Sequence, residues 1–344
     1  MSALTATASL IEVLSAYHEL NSSGVEERSG EPTPLEFSRG VRQNFPVVFR
    51  GAVSHWKAVT NWRAAYLRDT MGSESIAVAE TPLGNADSAV VREEDGKRYF
   101  VKPHERQMPF GEFLDDLQAK VTSESESAMV RYAQSQDDNL LREFAPLAAD
   151  VGRDIPWASE ALGQQPDAAN VWIGNERSVS ALHKDNYENL FCQISGYKRF
   201  VLISPYEAIC VRETSLQAAT YVPNPHTQRL AIVPDEPASE VLFWPTVDPD
   251  SPPGTAWWRY CRPMEVELAP GDVLYLPAMW YHKVSQRGSD EGLCCAVNYW
   301  YDMEFGGAFY PGVSFARQMT QMAQQEEEEE EEEEEAEMWR TQAW

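Results

Sequence analysis

A mainly β fold with α additions is predicted, a sandwich or barrel in the second half of the chain with helices from the first half packed around one side. Three observations carry this. From residue 170 onward the chain breaks into short β-rich runs (NVWIG, ENLFCQIS, YKRFVLIS, MEVELAPGDVLYLPA, GLCCAVNYWYDM) separated by Gly, Pro and Asp turns. The first half instead places apolar residues at helical spacing. With 344 residues, 43% of them hydrophobic, the chain can bury one large core or two modest ones.

Taken in order, Thr5 to Leu20 aligns Leu10, Ile11, Leu14 and Tyr17 on one helical stripe that stops before Asn21-Ser22-Ser23-Gly24. Residues 1–30 are therefore expected to be an N-terminal helix and a polar linker. FPVVFRGAV, Phe45 to Val53, reads as a buried strand, NWRAAYLRDTMG as a helix stopped by Gly72, and Pro109 to Val121 as a further helix. One unit is expected over residues 31–312, with its β core at about 165–305. Residues 230–258 read as a long Pro-rich loop, holding Asp235, Glu236, Glu240, Asp248 and Asp250 and no Lys or Arg. From Phe315 a last helix is expected, so that 313–344 comprises this helix and a disordered acidic tail.

The formal net charge is −26, and the ten-glutamate run Glu326 to Glu335 supplies ten of these charges, leaving −16 on the rest. A body so acidic, without a dense Lys/Arg cluster, has no face for a phosphate backbone. It suits a basic protein or peptide better. Cys192, Cys210, Cys261, Cys294 and Cys295 match neither a CxxC metal site nor a disulfide framework, which points to buried thiols in a reducing compartment. With neither a basic leader nor an 18-residue apolar window, a soluble protein of the cytoplasm, the nucleus or both is expected.

Within SVSALHKDNYENLF, Ser178 to Phe191, a histidine and an aspartate stand two residues apart in an apolar, strand-like context. Residues i and i+2 of a strand share a face, so His183 and Asp185 would project together, one neutral nitrogen donor beside one anionic oxygen donor. A lone HxD arises by chance in many proteins. A third donor is available in LAPGDVLYLPAMWYHKV, where His282 follows a Pro-Gly-Asp turn and a strongly β run. Two histidines and a carboxylate leave about three positions open on a six-coordinate metal, the arrangement suited to ferrous oxygenases.

Lys198 strengthens the case. If Ser195-Gly196 forms a two-residue turn, the strand ending at Ile194 pairs with the one beginning at Tyr197, Gln193 lies opposite Lys198, and Lys198 points to the metal side with Phe191 and Asn189. A slip of one residue would put it on a solvated face instead. A lysine inside an apolar barrel needs an anionic partner, and a dicarboxylate cosubstrate would provide one. Tyr132 reads equally as a core residue, and Asn189 and Asn298 as backbone caps at strand ends.

HKDNYENLFCQISGYKRF, PGDVLYLPAMWYHKV and AVNYWYDM together resemble the jumonji-C (JmjC) family of Fe(II)- and 2-oxoglutarate-dependent oxygenases, the likeness running from about residue 30 to 310 and including FPVVFRGAV, IPWASEALG and NVWIG. The small JmjC-only (3S)-lysyl hydroxylases of developmentally regulated GTP-binding proteins are the nearest in pattern. The resemblance implies a distorted double-stranded β-helix, a cupin-like jelly roll. It implies iron ligation by His183, Asp185 and His282, and a distal 2-oxoglutarate carboxylate held by Lys198. Supporting contacts would come from Tyr132, Ser180, Asn189 and Asn298; the position of Ser180 often carries Thr in the family. Dioxygen, 2-oxoglutarate and iron would be the cofactors, succinate and carbon dioxide the by-products. The partner would be a protein substrate, a developmentally regulated GTP-binding protein, and a homodimer is left open. Demethylation of histone methyl-lysine with the same iron site and a non-catalytic cupin-like binding module are the alternatives; a zinc hydrolase lacks a base beside the metal pair, Glu188 facing away by parity.

Overall fold

A computed structural model describes residues 5–119, 129–227, 229–252 and 254–342, with side chains up to residue 327. Two β-sheets dominate. The six-stranded sheet runs, edge to edge, Glu26–Ser29, Val47–Arg50, Val273–Leu276, Tyr187–Ser195, Cys294–Asp302 and Ala168–Gly174. The five-stranded sheet runs Met264–Leu268, Tyr197–Ile203, Tyr281–Arg287, Val179–His183 and Asn85–Ala86. A third sheet, Leu230–Pro234, Thr214–Pro223, Arg98–Lys102 and Ser88–Val91, with Glu240–Trp244 beside the second of these, lies next to them.

The two main sheets pack face to face. Phe191, Leu274, Leu276 and Trp172 from the first meet Phe200, Leu202, Val266 and Val284 from the second in one buried cluster. Phe191 and Phe200 bridge the sheets edge to face, centroids 5.1 Å apart, a geometry worth about 0.5–1.5 kcal/mol beyond its buried area. The opposite face of the six-stranded sheet, with Leu190, Cys192, Ile194, Val297, Tyr299 and Tyr301, is covered by helices from the first half. A sheet covered on both faces gives continuous apolar strands rather than alternating ones, which is why ENLFCQIS reads as an apolar run. The expected β fold with helices on one side is therefore what forms.

The helices follow local rules. Thr5 caps Ala6–Leu20, Thr33 and Glu36 form a reciprocal capping box at Pro34–Gln43, Gly72 closes Ala64–Met71, and Phe110–Gln118 occupies most of the stretch expected from Pro109, Val121 lying outside the described residues.

Four expectations are corrected. Tyr187–Ser195 and Tyr197–Ile203 do not pair as a hairpin; they belong to different sheets, and the chain crosses between sheets at Gly196. Gly196 has φ +68°, and a Cβ there would stand 2.7 Å from the Arg287 carbonyl oxygen and 2.9 Å from that of Leu293, so the crossover needs glycine. Residues 230–258 are not one loop, since they hold the strands Leu230–Pro234 and Glu240–Trp244. Glu26–Ser29, inside the stretch read as a linker, adds a parallel edge strand to Val47–Arg50. The last helix spans Phe309–Gln342, through the glutamate run that was expected to be disordered. Its earlier turns are anchored, with Ala323 packed among Leu10, Leu14 and Trp257, and glutamate propagates a helix already nucleated. Glu326, first of the run, accepts from the backbone N–H groups of Ala6 (3.1 Å) and Thr7 (3.2 Å) at the start of the first helix.

Candidate metal centre and cosubstrate cavity

His183 ends the strand Val179–His183, paired with Tyr281–Arg287 in a register that sets His183 opposite His282. This antiparallel pairing closes the 99-residue gap in sequence. Asp185 lies just beyond the strand end, where the backbone N–H of Met279 donates to its carbonyl at 2.8 Å. The Nε2 atoms of His183 and His282 stand 3.8 and 3.7 Å from Asp185 Oδ2, and the three donor atoms lie within 4.8 Å of one another.

The tautomers are set by the backbone. Nδ1 of His183 donates to the Ala181 carbonyl at 2.7 Å and Nδ1 of His282 to that of Trp280 at 3.0 Å, which leaves the Nε2 lone pairs of both rings turned to the shared space. Burial, helped by the nearby His183, lowers His282 from its usual value to about 4, so it stays a neutral donor near neutral pH. Lys184, between the first two donors, turns away to Glu213 and lies over the Tyr281 ring.

Lys198 is 2% exposed, with its ammonium donating to the Tyr132 hydroxyl at 2.9 Å and to Gln286 Oε1 at 2.6 Å. Both acceptors are uncharged, and among the described residues no carboxylate forms an ion pair with it. Lys198 faces inward because it pairs with Gln286 on the neighbouring strand Tyr281–Arg287, where His282, Val284 and Gln286 share one face. The expected orientation therefore holds although the expected hairpin does not.

His183, Asp185, His282, Lys198, Tyr132, Ser180, Asn189 and Asn298 all line one cavity between the main sheets. Asn298 is fully buried, accepting from the Trp172 indole at 2.8 Å and donating to Asn189 Oδ1 at 3.1 Å, so both asparagines are interior groups rather than strand-end caps. Sequence reasoning missed Gln286, which strand alternation from His282 could have found. It also missed Trp244, whose ring stacks on His183 at 6.4 Å between centroids; no period marks that tryptophan in its short, half-exposed strand. Glu188 accepts from the Tyr275 hydroxyl at 2.7 Å and from the Ala278 backbone, away from the donor trio.

Outside the cavity opens a broader cleft walled by Phe100, Lys102, Glu105, Gln134, Asp137 and Trp244, with His183, Asp185 and Ser180 at its floor. The carboxylates of residues 235–250 contribute less free charge than their sequence suggests. Asp235 is paired with Lys102, and Asp248 and Asp250 with Lys283 and Arg199.

A family model described as a cupin-like domain matches residues 33–307. The human bifunctional peptidase and (3S)-lysyl hydroxylase JMJD7 (Homo sapiens) is 40% identical over 277 residues, 80% of this chain and 83% of that protein. The chain belongs to the cupin-like JmjC family. Lysine-specific demethylase JMJ32 of Arabidopsis thaliana is 36% identical over 292 residues, 82% of each chain, and JmjC domain-containing protein E of Dictyostelium discoideum 33% identical over 299 residues, 81% of this chain and 84% of the other. Members of this family are 2-oxoglutarate oxygenases, and the donor chemistry here suits such a site. Two imidazole nitrogens and one carboxylate fit ferrous iron with positions left open, and a buried ammonium held by neutral acceptors fits a carboxylate end.

Proposed function

We propose that the protein is an Fe(II)- and 2-oxoglutarate-dependent lysyl hydroxylase acting on a protein substrate, with His183, Asp185 and His282 as the iron ligands and Lys198 as the cosubstrate anchor. The observation that carries this reading is the presence of two incomplete sites in one cavity. At one end three donor atoms converge, and at the other a buried ammonium lacks a carboxylate. A C5 dicarboxylate, with one carboxylate for each end, is the ligand proposed to complete both.

The chemistry supplied when ferrous iron, 2-oxoglutarate and dioxygen are bound is oxidative decarboxylation to succinate and carbon dioxide, coupled to insertion of one oxygen atom into a substrate C–H bond. The chain's own residues position and enclose. Lys198, with Tyr132 and Ser180 near its head, would fix the far carboxylate. The Trp172, Asn298 and Asn189 chain of hydrogen bonds would hold the cavity wall in one arrangement. Phe191, Phe200 and Val284 would keep water from the buried half.

The lysyl substrate follows from the likeness to the human (3S)-lysyl hydroxylase. The specific partner proposed is a developmentally regulated GTP-binding protein, encountered in the cytoplasm or nucleus, and the five free thiols suit a reducing compartment. Histone methyl-lysine demethylation, in keeping with the name of the Arabidopsis relative, is the competing reading with the same iron site. The two separate in one assay. Purified protein with ferrous iron and 2-oxoglutarate is offered lysine peptides from the GTP-binding protein and trimethyl-lysine histone peptides. A gain of one oxygen on unmethylated lysine supports the proposal, and loss of methyl groups from the histone peptide replaces it.

A further inference from the structure

The outer cleft carries charge that the cosubstrate site does not use. Its two lysines are already committed, Lys102 to Asp235 at 2.6 Å and Lys184 to Glu213. Asp137 is paired with Arg142 at 3.1 Å. Asp87 differs, since its hydrogen-bond partner is the neutral side-chain amide of Gln134, at 3.2 Å. It follows directly on Ala86, which pairs with Ser180, so it stands beside the strand that leads to His183. It is not one of the three donors that lie within 4.8 Å of one another. Burial pushes its carboxyl above the ordinary range, so a cation seated beside it would restore the anion.

Aromatic side chains wall the same cleft. The indole Nε1 of Trp244 is buried with no acceptor among the described residues, while its ring stacks on His183 and meets Phe100 edge to face at 4.6 Å. The cleft thus offers aromatic walls for an aliphatic stem and, in Asp87, a half-buried carboxylate whose side-chain partner is a neutral amide.

Resting on the lysyl reading, we infer that Asp87 receives the ε-ammonium of the substrate lysine and thereby sets which of its atoms faces the metal. Chemistry at carbon 3 sets the reach that such a contact must have. In an extended lysine the β-carbon and Nζ are separated by four bonds, roughly 5 Å. Oxidation of an N-methyl group needs the nitrogen end at the metal; oxidation of the β-carbon needs the nitrogen held away from it. An anion inside the cleft but outside the donor trio does the second.

The test compares a lysine peptide from a developmentally regulated GTP-binding protein with its norleucine twin, which keeps the stem and lacks the ammonium. The wild type is expected to prefer lysine by about 10- to 100-fold in kcat/KM, the range of a hydrogen bond to a charged group. In Asp87→Asn the preference should fall to within about 3-fold, because the amide keeps the shape and loses the charge. This variant suits the backbone, since Asp87 has φ 51° and asparagine tolerates the left-handed region; circular dichroism checks its fold. Glu105→Gln, at the exposed rim, should keep the preference. If Asp87→Asn hydroxylates lysine with the wild-type preference, the inference fails while the lysyl reading stands. Silence of the wild type on both peptides, with peptide-free succinate formation intact, would overturn the lysyl reading and the inference with it.

Discussion

Replacing Lys198 with methionine separates a binding role from a structural one, because the first is read in 2-oxoglutarate affinity and the second in ligand-free stability. The side chain is 2% exposed, its ammonium over the Tyr132 and Phe191 rings at 5.4 and 5.6 Å and bonded, among the described residues, to neutral acceptors. Without a ligand, the buried charge is desolvated and lacks a carboxylate, so Lys198→Met removes a cost while leaving the Gln286 and Tyr132 oxygens without that donor. These effects offset each other, and the stability of the ligand-free variant should stay within about 1 kcal/mol of wild type. With 2-oxoglutarate the offset is lost. Losing one partner of a buried, hydrogen-bonded charge pair costs about 2–5 kcal/mol, so Kd should rise from about 30-fold to several thousand-fold. Thermal melts with and without 2-oxoglutarate, beside calorimetric titration, read both. Saturating ligand at 100 times Kd stabilises wild type by about 2.7 kcal/mol, and the variant should show almost none of this. Unchanged 2-oxoglutarate affinity, or a ligand-free variant weakened by more than about 3 kcal/mol, would refute the reasoning.

Gln286→Leu should raise the KM for 2-oxoglutarate about tenfold with a smaller change in kcat, since it removes one acceptor that orients Lys198; steady-state kinetics checks it. His282 supplies a pH signature in metal-free protein. Its folded pKa of about 4 lies below the unfolded value near 6.5, so the unfolded state binds more protons between these values, and stability present above pH 6.5 is lost as pH falls toward 4, by up to about 3 kcal/mol. Denaturation midpoints across that window should lose this slope in His282→Asn. Gly196→Ala places a Cβ within 2.7 Å of a backbone oxygen at φ +68°, and calorimetry should show a loss of about 1–3 kcal/mol.

The donor trio was legible because each part of it carries a local signal. His183 and Asp185 are two residues apart, and His282 follows a Pro-Gly-Asp turn whose Gly271 has φ +94°. Lys198 was legible for a weaker reason. Alternation turned it inward, but its partner strand is Tyr281–Arg287 and not Tyr187–Ser195. Nothing local separates a glycine that closes a hairpin from one that carries the chain between sheets; the difference lies in the Arg287 and Leu293 carbonyls that crowd Gly196 from far along the chain. The strands within 230–258 were hidden by exposure, since Glu240–Trp244 buries no clean alternate face. Asp87 and Trp244 gave no signal at all, because their meaning arises only where a third sheet closes over the cleft.

Mass spectrometry of a lysine peptide from a developmentally regulated GTP-binding protein, after incubation with ferrous iron and 2-oxoglutarate, tests the central claim most directly. The account predicts a gain of one oxygen on an unmethylated lysine, stoichiometric with succinate and abolished in His183→Ala. Undiminished succinate and hydroxylated peptide from His183→Ala would contradict it.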